Sequence, residues 1–200
     1  MTTKITVINR ALVKLGAERL MSETDDNKAS RTIEAIYDGL LDGLLRDYRW
    51  AFAIKRARLA ALSATPEHGF QFQYQLPSDC LRIDSVGDHL FDTRLRHSWH
   101  ENMGPLWQRE GNAILSDIES PLYIRYGARI TDPSQWDASF SESFACLLAA
   151  ELCESITQSS TKKQSALQDL DTSLKAARSA SAIERPPIQQ QETSWYTARL

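Results

Sequence analysis

His89, His97 and His100 stand close together in the chain, with Asp88, Asp92 and Glu101 beside them. Imidazole and carboxylate are the ligands of a zinc-type centre, and the step from His97 to His100 would align two rings if that segment were helical. The context is instead a Gly- and Pro-containing loop without cysteine, so surface histidines are the better reading and no metal is expected. Glu18, Glu23, Asp25 and Asp26 offer carboxylates for a glycosidase-like acid/base pair. Such a pair must be held about 5 to 9 Å apart across a cleft. These four sit in a polar loop before a helix, where capping explains them more simply. Lys55, Arg56 and Arg58 form the one basic cluster. It could touch DNA passing through a channel, although a short cluster more often closes a helix C-terminus or faces a partner's acids. No Gly-rich phosphate loop, Ser elbow or Cys-His signature is present, since the eight glycines are scattered singly. No cofactor and no catalytic residue is expected.

Composition narrows the classes further. A chain of 200 residues can bury one sizeable core or two small ones without staples. Cys80, Cys146 and Cys153 are an odd set without paired spacing, and the last two read as small buried apolar residues on a helix, which suits a reducing compartment. The first twenty residues alternate charge and hydrophobe, unlike a signal peptide, and no stretch approaches the roughly 20 apolar residues of a membrane span. A net charge of −3 argues against a generalised nucleic-acid binder and favours protein partners.

The elements that must position these residues follow from periodicity. A first helix from about Lys4 to Leu15 carries Ile5, Ile8, Leu12 and Leu15 on one face, and Gly16 supplies its left-handed cap. Asp25, Asp26 or Asn27 can cap a second helix striped by Ile33, Ile36, Tyr37, Leu40, Leu44 and Tyr48. Its wet side holds Glu34, Asp38, Asp42 and Arg46, the last two at ion-pair spacing. Trp50 and Phe52, closing this helix, read as core anchors. Period two then takes over from about Ala57 to Ile130. Phe70, Phe72, Tyr74 and Leu76 alternate with Gln71, Gln73 and Gln75, and strands follow at Leu81 to Val86, at Leu106 to Arg109 with Ala113 to Leu115 around Glu110-Gly111-Asn112, and at Leu122 to Ile130. One small inserted sheet is expected.

Asp132-Pro133 restarts helix. Phe140, Phe144, Leu148 and Leu152 form its stripe, which Ala145, Cys146, Ala149, Ala150 and Cys153 broaden, so it should be the most buried helix. After Gln158-Ser159-Ser160 a last, peripheral helix shows the narrow stripe Leu167, Leu170, Leu174 and Ala177, with Asp171 and Lys175 paired on its wet side. The end of the chain contains Pro186-Pro187, which favours extended backbone, yet it keeps Trp195, Tyr196 and Leu200. Large aromatics in such a tail suit an arm that docks on another chain or folds back on its own bundle. The expected fold is α+β, mainly α: a bundle of about four helices with an inserted antiparallel β region and an extended arm. Its parts are 1–56, 57–130, 131–182 and 183–200.

The order of several motifs resembles one known family. These are Ile8-Asn9-Arg10-Ala11-Leu12-Val13-Lys14-Leu15-Gly16, the spacer Ser22 to Ala29, the junction from Leu44-Leu45 to Trp50-Ala51-Phe52-Ala53, the strand Phe70 to Leu76 and its stop at Pro77-Ser78-Asp79-Cys80. Together they are similar to the head-to-tail adaptor of tailed phages, the tail tubular protein A family. The similarity is strongest over residues 5–86 and continues in order through Trp136 to Leu152. Residues 88–117 show no family pattern. The resemblance implies a structural virion protein without enzymatic activity, built as a homo-oligomeric ring of about a dozen copies with heterologous contacts beneath the portal protein. It would extend the DNA channel, seal the filled head and present a platform to the tail's nozzle or tube proteins, in the virion neck after assembly in the host cytoplasm. A cell-wall-degrading virion enzyme and a DNA-binding helical module are the competing classes.

Overall fold

The structure is a computed structural model of the whole chain, and it describes residues 2–22, 25, 27–87 and 107–184. The histidine group and its neighbouring acids, Glu23, Asp26, and the arm residues Pro186, Pro187, Trp195, Tyr196 and Leu200 lie outside the described residues. The architecture is α+β and mainly helical, with two small antiparallel sheets set between the second and third helices.

Helix α1 (Lys4–Leu15) starts at Thr3, whose hydroxyl accepts from the Thr6 amide, and ends at Gly16 in the left-handed conformation (φ 70°) that a residue with a Cβ rarely adopts. The Asn9 side chain then closes the following loop by exchanging hydrogen bonds with both backbone groups of Leu20, at 2.8 and 2.9 Å. Helix α2 (Lys28–Asp47) takes Asn27 as its cap. Asp25 instead accepts from the Met21 and Ser22 amides and shapes the turn before it. The buried stripe of α2 is Ile33, Tyr37, Leu41, Leu44 and Leu45, while Ile36 and Leu40 are half-buried; the stripe is rotated from the expected one toward Leu41 and Leu45.

Helix α3 (Ala138–Thr157) is apolar nearly all round and contacts α1, α2 and α4 (Ser160–Ile183), so it is the centre of the bundle. Phe140, Phe144, Leu148 and Leu152 are all fully buried, as the sequence stripe requires, and the small residues Ala145, Ala149 and Cys153 are buried beside them. The restart at Asp132 is a short 3-10 turn, Pro133–Gln135, rather than the beginning of this helix. Helix α4 is peripheral. Of its narrow stripe only Ala177 is fully buried and Leu167 is exposed, because one neighbouring helix covers only the seam it touches. It also continues through Ile183, the first residue expected to belong to the arm.

The β region differs from one sheet. β1 (Ile54–Leu59), β3 (Cys80–Val86) and β6 (Leu122–Ala128) form a first sheet in the order β1-β6-β3, and β2 (Phe72–Gln75), β4 (Trp107–Glu110) and β5 (Ala113–Ser116) form a second in the order β2-β5-β4. The second contains the expected hairpin across Gly111-Asn112, with Glu110 opposite Ala113. The period-two pattern begins at Ile54, three residues before the expected boundary, and places the basic cluster on a strand instead of a helix end. Leu59, Leu122, Ile124 and Tyr126 join Tyr74, Ile114 and the helices in one continuous core.

Two tryptophans lock the crossings between bundle and sheets. Trp50 donates its indole hydrogen to the Leu44 carbonyl at 2.8 Å, and Trp136 donates to the Ile130 carbonyl at 2.8 Å. Each takes the carbonyl six residues back, one at the end of α2 and one just after β6. Both rings also meet Phe140 edge to face, at centroid distances of 4.9 and 5.3 Å. Trp50 is thus the core anchor its position implies, while Phe52 is half-buried against Phe140.

Candidate functional site

The side chains of β1 alternate, and so the basic cluster splits. Lys55 points to the core side of the first sheet, where it donates to Asp79 at 2.8 Å. Tyr126, opposite Lys55 in the register, donates its hydroxyl to the other Asp79 oxygen at 3.0 Å. Burial acts to raise the Asp79 pKa, but the hydrogen bonds from Lys55 and Tyr126 outweigh it and hold the carboxyl below its ordinary value. The same burial, reinforced by the bond to Asp79 and by that carboxylate's charge, pushes the Tyr126 phenol up to about 12. Lys55 therefore serves the fold.

Arg56 and Arg58 face the other way, and the register gives them company that the sequence order hides. Arg56 lies directly opposite Arg125 on β6, and Arg125 lies opposite Ser85 on β3; Arg58 lies opposite Tyr123. The outer face is thus a small grid. One row is Ile54, Gly127 and Arg82, the next Arg56, Arg125 and Ser85, and the last Arg58 and Tyr123, whose carbonyl accepts from the Gly87 amide at 2.8 Å. Gly87 has no side chain to lie against the Tyr123 ring, and Tyr123 is 52% exposed.

The first row is neutralised internally. Arg82 lies across Gly127, close enough that a Cβ there would come within 3.3 Å of its guanidinium. It donates to Asp84 at 2.9 Å and to the Arg46 carbonyl at 2.6 Å, while Arg46 donates to the Leu81 carbonyl at 2.5 Å. Asp84 is completely buried at a bulge of β3 and also accepts from Arg49 at 3.1 Å. These bonds weld the end of α2 to the sheet. The expected Asp42–Arg46 pair is absent because each found a tertiary partner: Asp42 accepts from Arg129 at 2.5 Å, and Arg129 also approaches Asp38. The i,i+4 pair on α4, Asp171 and Lys175, does form.

The second and third rows have no such balance. Among the described residues no acid pairs with Arg56, Arg58 or Arg125, and the Arg125 Nε is buried without a hydrogen-bond partner. Like charges directly opposite across strands destabilise a sheet. Charges on β1 can be understood as protection of an edge strand. That explanation fails for Arg125, which stands on the central strand. The three arginines and the open Tyr123 ring form the one face of the sheet whose chemistry is unfinished within the described chain.

Other candidates are weaker. A cleft of about 90 Å³ between α1, α3 and α4 is lined by Lys14, Cys146, Lys162 and Asp169 among others, room for a few waters. Its lysines are engaged, Lys14 with Glu142 at 2.8 Å and Lys162 with the Leu15 carbonyl at 3.1 Å. The three cysteines are free and buried. No group of three His, Cys, Asp or Glu able to hold a metal occurs among the described residues, and no helix among them is long and apolar enough to cross a membrane.

No protein-family model matches the chain, and no curated protein matches it. Arg125 and Tyr123 were recognisable in the sequence only as outward positions of an alternating strand. Their partnership with Arg56 and Arg58 depends on the pairing of β1 with β6, across more than sixty intervening positions of chain.

Proposed function

We infer that this protein is a structural component of a virion, a head-to-tail adaptor that forms a ring under the portal protein, extends the DNA channel and offers the tail a platform. The observation that carries this reading is the junction after α2. In the run Leu44 to Ala53, which resembles the adaptor family, Trp50 ties the end of the helix to Phe140 just before the β region begins. The element order is compatible with this reading: helix, spacer, long helix, Trp junction, β region and buried helix follow one another along the chain.

The partners in this reading are the portal protein, the tail's nozzle or tube proteins and further copies of the chain in a dodecameric ring, with genomic DNA passing through. The protein acts by shape and has no reaction of its own. Its place is the virion neck, after assembly in the host cytoplasm. The test is to mix the purified chain with a purified portal ring and image the product by electron microscopy. A ring of added density on one face of the portal is expected. Portal rings that stay bare at saturating protein would overturn the reading.

A further inference from the structure

We propose that the outer face of the first sheet, formed by Arg56, Arg58, Arg125 and Tyr123, binds the phosphodiester backbone of a nucleic acid. Three observations carry this. The arginines are gathered by strand register on two adjacent strands, Arg56 opposite Arg125 and Arg58 two residues farther along β1, about 7 Å away. No acid among the described residues balances them, and the Arg125 Nε is buried and unbonded. An exposed aromatic residue stands in the same row as Arg58, with Gly87 on its other side among the described residues.

The form of the cluster selects its partner. A phosphodiester chain carries a charge on every nucleotide, so it meets a row of cations without any arrangement of its own. A protein surface would have to hold three carboxylates within about 7 Å of one another with no cation between them, which repels just as the arginines do. Arginine adds a planar fork that matches two phosphate oxygens, and an exposed tyrosine beside it can stack on a base. The net charge of −3 gives the chain no general attraction for nucleic acid, so contact is confined to this face. The proposal does not depend on the adaptor reading, whose test is portal binding.

The experiment is fluorescence anisotropy of the full chain with a labelled single-stranded oligonucleotide and, in a parallel arm, a labelled duplex. With three phosphate contacts the affinity for the single strand should fall roughly 20-fold between about 50 and 200 mM salt, and somewhat more steeply for the duplex. Arg56→Gln combined with Arg58→Gln changes only exposed side chains, so the variant should keep its melting temperature; it should bind about tenfold more weakly and lose about two thirds of the salt dependence. Lys55→Gln, on the opposite side of the same strand, should bind as the parent does. Polyglutamate at equal charge should not displace the oligonucleotide; displacement would mean an acidic protein surface is the true partner. No binding of either oligonucleotide at about 50 mM salt, or binding unchanged in the double variant, would also overturn the proposal.

Discussion

Phe140→Ala tests whether the helical bundle and the β region are held together as the structure indicates. The ring is fully buried, and its centroid lies 4.9 Å from those of Trp50 and Phe52, 5.3 Å from that of Trp136 and 6.4 Å from that of Phe144. Truncating a buried Phe costs about 3 to 5 kcal/mol, and losing several edge-to-face partners keeps this site off the low end of that range, at about 4 kcal/mol. For a chain of this size each kcal/mol lowers the midpoint by roughly 2 to 4 °C, so a fall of about 8 to 16 °C is expected. Circular dichroism at the helical band and tryptophan fluorescence should be followed through the same melt. Because Phe140 meets the rings of both Trp50 and Trp136, both signals should fall together, in the parent and in the variant. Leu174→Ala, on the half-buried seam of α4, should cost clearly less. A drop below about 4 °C for Phe140→Ala, or fluorescence that melts well before the helices, would refute the claim that the two junctions join the β region to the bundle.

Asp84→Ala should destabilise by about 3 kcal/mol, since it leaves Arg49 and Arg82 largely covered without their shared carboxylate, and chemical denaturation would read this directly; a cost under about 1 kcal/mol would mean that water replaces the lost partner. Tyr126 holds its proton more tightly when folded, near 12 against an ordinary 10.0, so its stabilisation is complete below about pH 10 and is lost as pH rises toward 12. Denaturation across that window should therefore show a smaller alkaline loss for Tyr126→Phe than for the parent, and equal slopes would remove Tyr126 as the cause. Deleting residues 191–200, which carry Trp195, Tyr196 and Leu200, should leave the melting temperature nearly unchanged while weakening incorporation into particles; normal incorporation would remove the docking role, and a large loss of stability would mean that the arm folds back on its own bundle.

The features legible along the chain were local. The helical faces of α1 and α3, the Gly16 cap, the Gly111-Asn112 turn and the alternation of Phe72, Tyr74 and Leu76 depend on periods of 3.6 and 2 and on residues that end or bend a chain within a few positions. The buried state of Cys146 and Cys153 and the anchoring role of Trp50 belong to the same class, because each lies on a stripe that can be counted along the chain. Pairing belonged to the tertiary structure. Whether the six described strands make one sheet or two, and which strands adjoin, depends on contacts between segments far apart in sequence, whose loop-closure cost no local pattern reveals. That is why Lys55, Arg56 and Arg58, one cluster in the sequence, became a partly exposed ion pair with Asp79 and an outer arginine face, and why Arg125 and Tyr123 were added to that face. The same competition undid the Asp42–Arg46 pair. A surface ion pair at helical spacing gains only about 0.3 to 0.5 kcal/mol, so Arg129 and the Leu81 carbonyl, brought near by the packing of α2 on the sheet, took its members instead.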